Sequence, residues 1–281
     1  MANNTNNGWK AHFTHIVEDN YERYTYKNKN VIKLPDNLPM PPTTNLNSMF
    51  CNCHELQDIN ALSKWDVSEV TNLSNMFNGC NQLKNISALA KWNINKVTDI
   101  NNIFANCWHL SDLTPLSSWD TGNVTDMWGA FQCCCEIENV YALSKWDTGK
   151  VTNMKGMFYA CDHLESIDEL AFWNTSNVTD MQLMFASCRS LESNDAIANW
   201  DTSNVTNMDV MFANCVLMYD GYEDLIPKSI HVVKRLAHER NMYIKRVDEL
   251  TFENQELQRE NAKLKARIET LKSVIQDITL I

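Results

Sequence analysis

Ten cysteines and seven histidines are the residues of this chain whose chemistry could reach beyond packing. Thiolates and imidazoles ligate zinc, and exposed thiols of lowered pKa take part in redox exchange. Two pairs look like half a zinc site, Cys107-x-His109 and Cys161-x-His163, and His54 directly follows Cys53. Cys133, Cys134 and Cys135 are consecutive, which makes Cys133 and Cys135 the candidates for redox or metal chemistry. The zinc reading meets a distance problem. The two Cys-x-His pairs are 54 residues apart. If that separation spans two stacked layers of chain, they lie roughly 10 Å apart by strand spacing, whereas zinc bonds its ligands at about 2.0–2.3 Å. No metal or cofactor is therefore expected. No acid, base and nucleophile set stands apart from the repeated residues, so catalysis is not expected either.

The elements that would position these groups come from one repeated interval. Seven cysteines, Cys53, Cys80, Cys107, Cys134, Cys161, Cys188 and Cys215, are spaced 27 residues apart. Phenylalanine keeps the same interval at Phe50, Phe77, Phe104, Phe131, Phe158, Phe185 and Phe212. Tryptophan does so at Trp65, Trp92, Trp119, Trp146, Trp173 and Trp200. A fixed period between 20 and 50 residues is the signature of a solenoid. Within one unit Met154, Met157, Phe158 and Cys161 fall at i, i+3, i+4 and i+7, which predicts one face of a two-turn helix. Leu164 and Ile167 then form a Leu-x-x-Ile step, repeated in the earlier units, where a short parallel strand is expected, with a second at Val-Thr-Asn-Met. Asp or Asn after each tryptophan (Asp66, Asn93, Asp120, Asp147, Asn174, Asp201) can bond the backbone two residues on and fix a turn. The columns headed by Thr71 and Asn72 suit ladders that satisfy backbone groups between coils.

The string Trp-Asp-Thr-Ser-Asn-Val-Thr-Asn-Met-x-x-Met-Phe-x-x-Cys, intact from Trp200 to Cys215, resembles the BspA-like leucine-rich repeats. These occur in bacterial surface proteins and mycoplasma lipoprotein-associated domains, and also in protists and large DNA viruses. The match covers about residues 45–218 in seven in-register copies. It implies a leucine-rich-repeat-like solenoid that binds proteins or surfaces without catalysis. The fold class expected is thus an α/β repeat solenoid of 27-residue coils with short parallel strands and short helices, followed by a long α-helical coiled coil.

Three segments follow. Residues 1–44 are read as an N-terminal tail and cap, with a short amphipathic helix within Trp9 to Tyr26 and an extended stretch through Pro35, Pro39, Pro41 and Pro42. Residues 45–228 are the solenoid with a C-terminal cap. Residues 229–281 are a parallel coiled coil. In the last segment a seven-residue period places Val247, Asn254, Asn261, Ile268 and Ile275 at a, and Leu250, Leu257, Leu264, Leu271 and Ile278 at d. Leucine at d, with β-branched residues or Asn at a, favours a parallel dimer of fixed register.

Charge narrows the partners. Residues 1–228 carry 14 Lys and Arg against 27 Asp and Glu, and residues 229–281 carry 10 against 8. Such an acidic solenoid repels phosphate backbones, so no nucleic acid is expected, and basic protein partners are favoured. No apolar run spans a membrane. With no signal peptide or lipobox visible, an intracellular or virion-associated location with reduced thiols is expected, and the Asn-Val-Thr sequons are read as repeat consensus. Residues that repeat hold coils together, so specificity should sit where copies differ. That singles out Glu138, Tyr141, Glu165, Asp168 and Glu192 as a protein-contact strip. Trp108 and Trp128, outside the Trp column, would mark a hot spot if exposed together. The expected function is a non-enzymatic protein–protein interaction scaffold, an acidic solenoid presented on a coiled-coil dimer. The alternative is a structural component of a virus particle or surface layer, with the solenoid as spacer.

Overall fold

The computed structural model describes residues 7–18 and 21–218. Each 27-residue unit closes one coil, and backbone hydrogen bonds tie it to its neighbours. In the Phe158 coil the N–H groups of Met154, Gly156, Phe158 and Ala160 donate to the carbonyls of Asp180, Gln182, Met184 and Ala186 in the next coil, at 2.8–2.9 Å. The N–H of Thr152 donates back to Thr125 at 2.9 Å.

The expected two-turn helix is instead a pair of tandem β-turns. The Met157 N–H returns to the Met154 carbonyl and the Cys161 N–H to the Phe158 carbonyl, both at 3.2 Å. The third residue of each turn is left-handed, Gly156 and Ala160 both at φ 56°, which is the type II signature. Every left-handed residue among those described falls in these two columns. Asn52, Asn75, Asn102, Asn106 and Asn214 are among them, and Asn adopts this region more readily than other residues with a Cβ. Two four-residue turns in tandem put apolar residues at i, i+3, i+4 and i+7, the same spacing as two helical turns.

The strand positions are also corrected. Parallel bridges join Asn45, Asn72, Asp99, Asp126, Asn153, Asp180 and Asn207 in one unbroken ladder, a single rung per coil. This is the Val-Thr-Asn-Met position. At Leu-x-x-Ile no continuous strand forms among the described residues, and the bridging there is the single parallel bridge from Lys33 to Asp58 in the first step. Leu164 and Ile167 are both buried, and an extended strand would send residues three apart to opposite faces. The chain instead turns into a 3-10 helix after each such step, for example Tyr141–Leu143, Asp168–Phe172 and Asp195–Asn199. These are the short helices of the fold.

The core is a set of side-chain columns. The seven phenylalanine rings stack continuously, with centroids 5.3–5.8 Å apart. Each of the six column tryptophans donates its indole N–H to a leucine carbonyl of the preceding layer, as Trp146 does to Leu116 at 3.1 Å. The acid or amide after each tryptophan accepts from the backbone two residues on; Asp147 takes the Gly149 N–H at 2.9 Å. The Thr hydroxyls form the ladder that their column suggests, Thr152 donating to the Thr125 carbonyl at 3.2 Å.

The helix expected within Trp9 to Tyr26 is replaced by a 3-10 turn, Asn7–Ala11, and an antiparallel hairpin of β1 (Phe13–Glu18) and β2 (Tyr21–Tyr26). Tyr24 and Tyr26 are buried while Arg23, Thr25 and Lys27, which alternate with them, are half-exposed or exposed, a period of two rather than 3.6. Phe13 and Tyr26 pack on Phe50, the first ring of the ladder, at 6.2 and 5.5 Å. The coiled-coil expectation for 229–281 lies outside the described residues, as does the end of the C-terminal cap.

Candidate functional site

The repeated cysteines are committed to the core. All ten are free thiols. Six of the column thiols donate to a phenylalanine carbonyl in the preceding coil, Cys161 to Phe131 at 3.2 Å and Cys134 to Phe104 at 3.1 Å. Burial pushes the Cys53 thiol up to about 11 and the Cys215 thiol to about 12, and raises the five between them well above the ordinary 9.0. Cys133 and Cys135 are half-buried, and burial raises both. Cys133 occupies one of the left-handed turn positions, φ 56°. Neither has the lowered pKa of a reactive thiol.

The five residues singled out by sequence variation all face solvent. They fall in two columns. Glu138, Glu165 and Glu192 form one, tied by Glu165 N–H to the Glu138 carbonyl (2.9 Å) and Glu192 N–H to the Glu165 carbonyl (3.2 Å). Tyr141 and Asp168 open successive 3-10 helices in the other, and Asp195 continues that column. Beside them lies an open groove of about 430 Å³ lined by Asp112, Thr114, Glu136, Glu138, Asn139 and Tyr141 among others. Tyr141 is 61% exposed at its edge. The groove therefore offers one aromatic face and three carboxylates.

Two features escaped the sequence reading. Phe172 is 90% exposed at the end of the Asp168–Phe172 helix. Its column otherwise holds Lys64, Lys91, Ser118, Lys145 and Asn199, so the break was visible. Glu136, one interval after His109 and one before His163, accepts from His109 Nδ1 at 2.6 Å. That hydrogen bond is the first cause of its lowered pKa. Trp108 and Trp128 are exposed, at 48% and 40%, but occupy different columns of the repeat.

The architecture is that of a stacked-coil repeat protein in which repeated side chains hold layers together and variable ones face solvent. The family model described as "Mycoplasma protein of unknown function, DUF285" matches residues 44–163 and 125–234, and the chain belongs to that family. No curated protein matches it. Among solved structures, a leucine rich cell surface protein from Faecalibacterium prausnitzii is 16% identical, covering 75% of this chain and 94% of that one, at a TM-score of 0.26 that carries no weight. Among the described residues no helix is long and apolar enough to cross a membrane.

Proposed function

We propose that the chain is a non-enzymatic protein-interaction scaffold of the leucine-rich-repeat type, which presents an acidic strip to a basic partner while the heptads of 229–281 hold two copies together. The observation that supports this is the segregation of residues by exposure. The repeated Phe, Trp and Cys columns are buried from end to end, while Glu138, Tyr141, Glu165, Asp168 and Glu192 are exposed in two adjoining columns beside a groove. A cationic side chain fits such a groove, because an ammonium or guanidinium group gains from both the Tyr141 ring face and the carboxylates around it. Pairing two copies would let two weak contacts act together.

The test is charge reversal in the full chain. Glu138→Lys, Glu165→Lys and Asp168→Lys together should weaken binding of lysine- and arginine-rich peptides at least tenfold, by fluorescence anisotropy at fixed salt. The unfolding midpoint should not move, since all three side chains are exposed. Unchanged peptide binding by the triple variant would favour a spacer role for the solenoid and end this reading.

A further inference from the structure

The groove beside the acidic strip lies where two coils do not close on each other. Between the Phe131 and Phe158 coils two backbone bonds join this face, His163 N–H to the Cys135 carbonyl at 3.2 Å and Glu165 N–H to the Glu138 carbonyl at 2.9 Å. The same pair recurs one coil later, Ser190 N–H to Asp162 at 3.1 Å and Glu192 N–H to Glu165 at 3.2 Å. Neither bond is continued from the Phe131 coil back to the Phe104 coil. The Glu136 and Glu138 N–H groups and the Ser111 carbonyl have no hydrogen-bond partner among the described residues. Ser111, Glu136 and Glu138 all line the groove.

A turn bond is missing at the same place. In the other coils a side chain two residues before the 3-10 helix takes the N–H that opens it, as Asp112 does for Thr114 at 2.8 Å and Ser166 for Asp168 at 3.1 Å. Asn139 and Tyr141 hold these positions in the Phe131 coil. There the Tyr141 N–H is unclaimed among the described residues, and both residues line the groove. The carboxylates also differ. Glu136 accepts from His109 and Asp112 from the Thr114 N–H, whereas the exposed Glu138 side chain has no partner among the described residues.

We propose that this groove is an arginine-selective slot for an extended peptide, a sharper form of the basic partner of the preceding section, on which it rests. The main chain of the peptide takes the place that the neighbouring coil fills elsewhere on this face. Its carbonyls accept from the Glu138 and Tyr141 N–H groups, and its N–H donates to the Ser111 carbonyl, as in strand addition at a sheet edge. An arginine side chain beside it lies on the Tyr141 ring and forks its guanidinium onto the Glu138 carboxylate. A planar guanidinium can stack and make paired bonds at once, whereas a lysine ammonium is a point charge on a flexible stem. Asp112 and Glu136 add attraction at the walls without giving up the bonds they already make.

Fluorescence anisotropy on the full chain compares three labelled, end-blocked peptides, each with one central cation among serines and glycines. One carries arginine, one lysine, and one arginine with methylated amide nitrogens on either side. The arginine peptide should bind at least about fivefold more tightly than the lysine peptide and about tenfold more tightly than the methylated one. Tyr141→Leu should erase the preference for arginine. Asn139→Ser supplies the hydroxyl that claims the corresponding N–H at Ser166 and Ser193, and should weaken the arginine peptide. Equal binding of the arginine and lysine peptides overturns the slot, and so does undiminished binding of the methylated peptide. If the charge reversal at Glu138, Glu165 and Asp168 still weakens binding in either case, the acidic-strip reading stands and the slot alone falls. No binding of any peptide by wild type ends both. The peptide series is read on wild type, so a folding defect in a variant leaves the slot decidable.

Discussion

Raising the pH should unfold this protein through its cysteine column. The seven column thiols are buried and their pKa values are pushed up, to about 11 for Cys53, about 12 for Cys215 and well above the ordinary 9.0 for the rest. Above pH 9 the unfolded chain sheds these protons while the folded chain keeps them. Fewer protons are bound in the unfolded state, so stability falls as pH rises. The stabilisation is complete below the unfolded pKa and is lost progressively toward the folded values. At pH 10 each thiol removes on the order of 1 kcal/mol, and the seven together on the order of 10 kcal/mol. That is comparable with the roughly 5–15 kcal/mol stability of a whole domain. Urea unfolding under reductant, followed by tryptophan fluorescence between pH 8 and pH 10, measures the slope. Cys161→Ala isolates one thiol from the lysines and tyrosines that titrate nearby. Above pH 9 its stability should fall less steeply than wild type, by on the order of 1 kcal/mol per pH unit. Equal slopes for wild type and Cys161→Ala would refute the argument.

Other outcomes follow from the turn geometry and the ring stack. Gly129 has φ 59°, and a Cβ there would collide with the Asn102 side-chain oxygen; Gly129→Val should cost about 2–3 kcal/mol in the same unfolding assay. Phe131 is stacked at 5.8 and 5.5 Å on its two neighbours, so Phe131→Ala should cost about 3–5 kcal/mol. The proposed pairing of the 229–281 heptads predicts that ending the chain at Pro227 gives a monomer by light scattering, and that Asn254→Leu with Asn261→Leu in the full chain removes the single register of the proposed dimer.

The period, the buried columns and the turn-fixing Asp and Asn residues were legible because each recurs with its partner at a fixed offset. The turn segment was not, because two tandem four-residue turns and two helical turns give the same spacing at Met154, Met157, Phe158 and Cys161. Asn52, Asn75, Asn102 and Asn106, with Gly79 and Gly129, carried the missing information, since left-handed residues in two fixed columns break a helix. Leu164 and Ile167 were placed on a strand although a spacing of three cannot keep both on one face. The exposed strip was legible as departures from the consensus. Its width was not: the break at Phe172 in a mostly polar column gains meaning only from its exposure. Glu136 stands out only down the column that it shares with His109 and His163, not in the Cys-x-His pattern along the chain.

The bonds between coils use a few fixed offsets. Backbone donors in the turns reach 26 residues ahead, threonines 27 back, and the tryptophans and cysteines 30 back for all layers but the first. The array is therefore a one-dimensional crystal with a 27-residue cell. Removing or duplicating one whole cell leaves every remaining offset intact, whereas a gain or loss of any other length dislocates all the columns at once. Length can drift in whole coils at little cost to the lattice. What such a step erases is adjacency between odd residues, such as Glu136 between its two histidines or Tyr141 beside the glutamate row. In this molecule individuality is carried by the defects, and each defect has meaning only by its distance, in cells, from the others.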